Sequence, residues 1–302
     1  YATHKALDNV SMDVPEGSVF GLLGPNGAGK TSLIRIINQI TAPDTGEVLF
    51  RGEKLRQSHI SMIGYLPEER GLYKKMEVGE QALYLAQLKG MSRKDAVIRL
   101  REWFDRFELN NWWRKKVEEL SKGMQQKVQF IITVLHEPKL LILDEPFTGF
   151  DPINANLVKD ELLRLRDKGT TIILSTHRME SVEELCSHIA LINHSHKILD
   201  GSVKEIRKNF KSEKYEIEYT GNAIALANSL WAGFELLSNE PHGDNMRAVV
   251  KMNPGSSTNN LLGGLIANVE VHSFKEIVPG MNDIFISLVK ENNSNQITAA
   301  TI

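Results

Sequence analysis

The sequence predicts an α/β chain, with a mostly parallel sheet covered by helices over residues 1–210 and a small α+β domain over 211–302. Three observations carry this. Short apolar runs alternate with helical patterns up to about residue 200, as expected of strands buried on both faces. A glycine-rich turn, GPNGAGKT at 24–31, stands between one such run and a helical segment. After GSVKEIRKNFKSEK at 201–214, which carries five basic and two acidic residues, the text shifts to the alternating KYEIEYT. A length of 302 residues suits two domains, and 41% hydrophobic with 25% charged residues is ordinary for a globular protein.

Taken in order, 18–23 reads as a buried strand and SLIRIINQI at 32–40 as the helix after the turn. Residues 77–120 form a helical insert, in which Val97, Leu100, Phe104 and Phe107 recur at steps of three, four and three. Ser92 with Asp95 marks a helix start there. Ser121 is placed as the N-cap of a helix ending at Leu135, with Val128, Ile131, Ile132 and Leu135 on its core face. Segments 140–143, 170–174 and 189–192 read as further buried strands. The second domain reads strand 215–219, helix 223–230, strands 234–237 and 247–252, helix 258–267 and strand 269–277. Polar text after Glu291 predicts a frayed tail.

Composition excludes several functions. With 36 Lys and Arg against 38 Asp and Glu, the net charge of −2 provides no global field for nucleic acid, and none is expected as a partner. The single cysteine, Cys186, forms no intrachain disulfide and is expected to pack as a small apolar residue. Apolar stretches such as 130–135 fall far short of the roughly 20 residues that span a bilayer. No secretory signal is legible, and the chain starts at Tyr1 without a methionine, which leaves targeting at this end open.

Residues 24–31 satisfy G-x-x-x-x-G-K-[ST] between strand and helix, the context a phosphate-binding loop requires. Gly24, Pro25, Asn26, Gly27, Ala28 and Gly29 would fold into a nest of backbone N–H donors at a helix N-terminus, with Ser32 in the first turn. Lys30 would bridge the β- and γ-phosphates of a nucleotide, and Thr31 would ligate Mg²⁺. LLILDEP at 140–146 places two acids at the carboxyl end of a buried strand, where open α/β sheets bind ligands. Asp144 would hold Mg²⁺ through water, and Glu145 would polarise the attacking water as general base.

The phosphate loop with Pro25 and Asn26 inside it, LSKGMQQK at 120–127, LLILDEP and STH ending at His177 together resemble the ATP-binding-cassette ATPases over residues 1–210. The resemblance implies an ATP hydrolase using ATP and Mg²⁺. Two subunits would sandwich two nucleotides head to tail, so that Ser121 and Gly123 act in trans and Asp151, in GFDP, lies on the loop crossing to the other site. It also implies that Tyr1 stacks on adenine, that His177 links γ-phosphate to Glu145, and that a separate membrane-spanning permease binds near 65–73 and the helical insert. The protein would then sit at the cytoplasmic face of the cell membrane.

Four positions depart from the family pattern. Glu68 replaces a glutamine, and a carboxylate can ligate Mg²⁺ but cannot donate as an amide does. Lys122 and Met124 replace glycine and glutamine in the signature, and Phe150 replaces a leucine. YLPEERGLY, LSKGMQQK and FTGFDP together resemble the exporter branch that includes bacterial sodium-extrusion ATPases, whose chains carry a C-terminal extension of about this size. This implies export of Na⁺ or another small solute, with the extension regulatory or supporting the dimer. Two other readings stand beside it: a soluble ATPase remodelling nucleic acid or ribosomes, and a nucleotide switch that does not hydrolyse.

Overall fold

The computed structural model describes residues 5–69, 71–230 and 233–300. The chain divides into two compact units, Tyr1–Val203 with Val289–Ile302, and Lys204–Leu288. The first contains β1 (Val19–Leu23), α1 (Lys30–Ile37), β2 (Leu49–Phe50), β3 (Glu53–Lys54), β4 (Ile63–Leu66), α2 (Val78–Leu88), α3 (Arg93–Arg106) and α4 (Lys122–Val134). It continues with β5 (Leu140–Asp144), α5 (Pro152–Asp167), β6 (Thr171–Ser175), α6 (Met179–Leu185), β7 (His188–Asn193) and β8 (His196–Ser202). α7 (Val203–Asn209) follows at the join between the units.

The main sheet has the order β4-β5-β6-β1-β7-β8. Its first five strands are parallel, and β8 returns antiparallel to β7. β1, β5 and β6 are buried at every position, which is why each is built on a run of consecutive apolar residues and not on an alternation. Leu22, Ile142, Ile173 and Ile192 from the sheet pack with Ile34 of α1 and Ile63 of β4 in one core. In the helical insert, the Ser92 hydroxyl accepts from Asp95 N at 3.1 Å and donates to Asp95 Oδ2 at 2.7 Å, capping α3 as expected. Trp103 of α3 and Phe107, the residue that ends it, meet Phe130 of α4 at ring-centroid distances of 6.0 and 5.8 Å, so the insert is packed onto the signature helix by aromatic contact.

The second unit contains β9 (Lys214–Thr220), α8 (Ala223–Ser229), β10 (Phe234–His242), β11 (Asn245–Met252), α9 (Thr258–Asn268) and β12 (Glu270–Ile277), and α10 (Met281–Ala300) begins in it. Its sheet order, β10-β11-β9-β12 with every pair antiparallel, is the split βαβ arrangement. Tyr215, Ile217 and Tyr219 alternate onto the face covered by Leu226 of α8 and Leu261 and Leu265 of α9. The side-chain oxygens of Asn222 and Ser257 cap these two helices.

The structure differs from the sequence reading in a few elements. β10 runs to His242, well beyond 237, because a bulge between Leu236 and Ser238 breaks the alternation. β8 was not legible, since the two-residue turn His194–Ser195 lacks the usual Asn-Gly text although both residues are left-handed, with φ of 43° and 69°. The expected frayed tail is helical to Ala300, and Asn193 Nδ2 donates to Asn292 Oδ1 and Asn293 Oδ1 there at 2.9 and 3.0 Å. No helix among the described residues is long and apolar enough to cross a membrane.

Candidate nucleotide site

The predicted site residues gather at the carboxyl ends of the parallel strands. Residues 24–29 follow β1, Glu68 follows β4, Asp144 ends β5 with Glu145 just after it, and His177 follows β6. The loop's tightness is visible at two glycines. A Cβ on Gly24, with φ of +148°, would come within 2.1 Å of the Ile192 carbonyl, and one on Gly29, with φ of +114°, within 2.4 Å of the Ala6 carbonyl. Gly27 faces open space, and Ser32 continues α1.

Lys30 is buried, and its Nζ donates to the carbonyls of Gly24 at 2.7 Å and Pro25 at 3.0 Å. Burial pushes its pKa down, opposed by the charges of Glu145, Asp144 and Glu68, so Glu68 lies within electrostatic reach of the loop although its side chain is exposed. Thr31 Oγ1 donates to Asp144 Oδ2 at 3.5 Å. Burial raises the Asp144 pKa, and the adjacent Glu145 charge adds to the shift while Lys30 opposes it.

Glu145 takes a left-handed backbone with φ of 49°, an uncommon conformation for a residue with a side chain, immediately past the strand end. The loop beyond β6 fixes its carboxylate. Oε1 accepts from His177 N at 3.0 Å and lies 2.7 Å from His177 Nδ1, while Oε2 accepts from Thr176 Oγ1 at 3.3 Å. With Nδ1 turned to the carboxylate, the second ring nitrogen of the exposed His177 faces away from it. Thr176 was not singled out from the sequence; its signal was its place inside STH. Its hydroxyl also accepts from Arg178 N at 3.1 Å.

The signature and crossing loop lie on neighbouring elements. Ser121 caps α4 by accepting from Met124 N at 3.3 Å, and a Cβ on Gly123 would meet no atom within 4 Å. Asp151 caps α5, its Oδ1 accepting from Asn154 N at 3.0 Å ahead of Pro152. Gln126 of α4 donates through Nε2 to the Thr148 carbonyl, linking the signature helix to the segment that follows Glu145. Tyr1 lies outside the described residues.

Known proteins resemble this chain in sequence and in fold. A family model described as ABC transporter matches residues 7–148, and one described as the C-terminal domain of DrrA1-3-like ATP-binding proteins matches 201–289. An uncharacterized ABC transporter ATP-binding protein of Bacillus subtilis, YhaQ, is 46% identical over 217 residues, covering 72% of this chain and 73% of the relative. The Nod factor export ATP-binding protein I of Cupriavidus metallidurans is 34% identical over 209 residues, covering 68% and 69%. A solved ATP-binding subunit of an ABC transporter superposes with a TM-score of 0.65 at 30% identity, covering 70% of this chain and 89% of its own. Similarity of this extent, over more than two thirds of this chain and of such relatives, places it in the family of ABC transporter ATP-binding proteins, as an ATP-hydrolysing subunit of a transport system.

Proposed function

We propose that the chain powers an exporter, pairing with a second ATPase subunit beneath a separate membrane-spanning permease at the cytoplasmic face of the cell membrane. The observation that carries the catalytic part is the anchored Glu145 carboxylate, held by Thr176 and His177 beside Lys30, Thr31 and Asp144. Glu145 takes the proton of the attacking water as general base, and His177 keeps that carboxylate aimed while its free ring nitrogen is directed to the γ-phosphate. Lys30 exchanges its loop carbonyls for β- and γ-phosphate oxygens, and the N–H groups of residues 24–29 receive the rest of the charge.

The Thr31 hydroxyl and Asp144 carboxylate are hard oxygen donors 3.5 Å apart, a set suited to Mg²⁺, and Glu68 offers a further oxygen from the end of β4. Mg²⁺, when bound, supplies neutralisation of the charge developing on the phosphates. Tyr1 keeps its reading as the adenine contact from the sequence. Gly123 supports the trans arrangement: this chain's own packing does not require a glycine there, whereas close approach of a second subunit's nucleotide does. Ser121 and the loop at Asp151 serve that same interface.

The permease has a place to dock. A groove of about 480 Å³ runs between β4 and the insert, lined by Tyr65, Pro67, Leu72, Leu88, Gln129 and Ile132 among others, and Tyr73 and Tyr84 are exposed large side chains nearby. The export named for one relative supports this direction of transport, and resemblance to the sodium-extrusion branch makes Na⁺ the first cargo to try.

A Glu145→Gln chain tests the mechanism: it should bind MgATP about as well as the native chain while hydrolysis falls by about a hundredfold or more. Native turnover in that variant would refute the general-base role. The same variant, tagged and purified with MgATP from native membranes, should bring down a multi-span membrane protein; recovery of RNA or ribosomal proteins in its place would refute the exporter reading.

A further inference from the structure

The turn between β7 and β8 stands directly behind the phosphate loop. Ser195 ties three segments together there: its N–H donates to the Ala28 carbonyl at 3.1 Å, its carbonyl accepts from Asp8 N at 2.8 Å, and its Oγ donates to the Lys5 carbonyl at 2.6 Å. The bond to Ala28 bears on nucleotide binding through peptide planarity. In a trans peptide the carbonyl and the following N–H point in opposite directions. Fixing the Ala28 oxygen toward the turn therefore aims the Gly29 N–H away from it. A nest of N–H donors works only if those directions are set before the phosphates arrive.

Something must hold the turn in turn. His194 and Ser195 are both left-handed without being glycine, a conformation that persists only when the surroundings impose it. The surroundings that do so come from the far end of the chain. Asn193 is 1% exposed, and its Nδ2 donates to Asn292 Oδ1 at 2.9 Å and Asn293 Oδ1 at 3.0 Å. His194 Nε2 donates to the same Asn293 oxygen at 3.1 Å. All these residues belong to the first unit.

We propose that the C-terminal part of α10 is a clamp on the phosphate loop, with Asn292 and Asn293 as positioning residues that act through Asn193, His194 and Ser195 on the Ala28–Gly29 peptide. Nucleotide affinity, and not the chemical step, depends on it. The clamp rests on nucleotide binding at this loop, and the test separates the two.

The experiment uses the full chain with MgATP and MgADP as probes, measuring dissociation constants by calorimetry together with kcat and KM. Asn292→Ala with Asn293→Ala should raise both dissociation constants and KM three- to tenfold, about the effect of losing one or two hydrogen bonds, with kcat within about twofold of native. Because the buried Asn193 amide loses its acceptors, the nucleotide-free melting temperature should fall by a few degrees, and the readout that a merely structural role would not move is the rise in KM at unchanged kcat. Asn293→Asp keeps an acceptor oxygen for both Asn193 and His194 and should bind within about twofold of native. Native affinity in the double alanine variant, or an equal loss in the alanine and aspartate variants, would overturn the clamp while native binding leaves the nucleotide site standing. No binding by the native chain would overturn both.

Discussion

His136→Phe probes the buried polar wall of the groove beside β4. Neither ring nitrogen of His136 has a partner meeting hydrogen-bond geometry, and both are sealed from solvent. Burial, then the ammonium of Lys89, drive its pKa from the ordinary 6.5 down to about 4, against a smaller upward pull from the Ile63 backbone. Lys89 is held in place, donating to the Ile60 and Ile63 carbonyls at 2.9 and 2.8 Å. The sign follows from the depressed value. As pH falls below 6.5 the unfolded chain takes up a proton that the folded chain refuses until about pH 4, so stability is lost across that window. At 1.36 kcal/mol per unit, the loss is about 2 kcal/mol between pH 7 and pH 5, and about 1–2 kcal/mol after allowing for the ring's partial exposure. Phenylalanine fills a similar volume without the nitrogens. Urea unfolding at the two pH values, followed by tryptophan fluorescence, should show the native chain losing about 1–2 kcal/mol more than the variant. An equal loss in both would refute the assignment of acid sensitivity to His136.

Three other outcomes follow from the geometry. Lys30→Ala removes the buried cation that the loop encloses and should abolish ATP hydrolysis, with calorimetry showing loss of MgATP binding; native turnover would refute its role. Ser121→Arg in a Glu145→Gln background should eliminate the ATP-dependent dimer seen by light scattering, because the cap of α4 would face a second subunit's nucleotide; an unchanged dimer would refute the trans signature. Cys186 is 7% exposed and its pKa is pushed up to about 12 by burial, so maleimide at pH 8 should label it at least about a thousandfold more slowly in the native chain than in urea. Equal rates would show that the thiol is accessible and ionised.

Most of the fold was legible because its signals are local. Val19–Leu23, Leu140–Asp144, Thr171–Ser175 and His188–Asn193 announce themselves as apolar runs, since strands buried on both faces admit little else. The second unit's strands and helices were readable for a related reason: Tyr215, Ile217 and Tyr219 alternate because only one face of their sheet is covered. Elements without such contrast were missed. β8 carries mixed, partly exposed text, and α10 is polar beyond Glu291.

The candidate site divides the same way. GPNGAGKT and LLILDEP point to phosphate and Mg²⁺ chemistry by residue type and spacing, because phosphate binding needs glycines, a lysine and oxygen donors whatever surrounds them, whereas LSKGMQQK and STH carry a role only through resemblance to the family. What spacing does not contain is direction. That Thr176 and His177 grip both oxygens of Glu145, that Lys89 and His136 meet in one wall, and that Asn292 and Asn293 reach the turn behind Ala28 were decided only when strands far apart in the chain came side by side. The sequence by itself determined which chemistry this protein carries, since composition and local pattern select strands, caps and phosphate ligands. Tertiary structure decided which groups hold that chemistry in place, because hydrogen bonds between residues such as Asn193 and Asn292 depend on three-dimensional proximity that sequence separation does not encode.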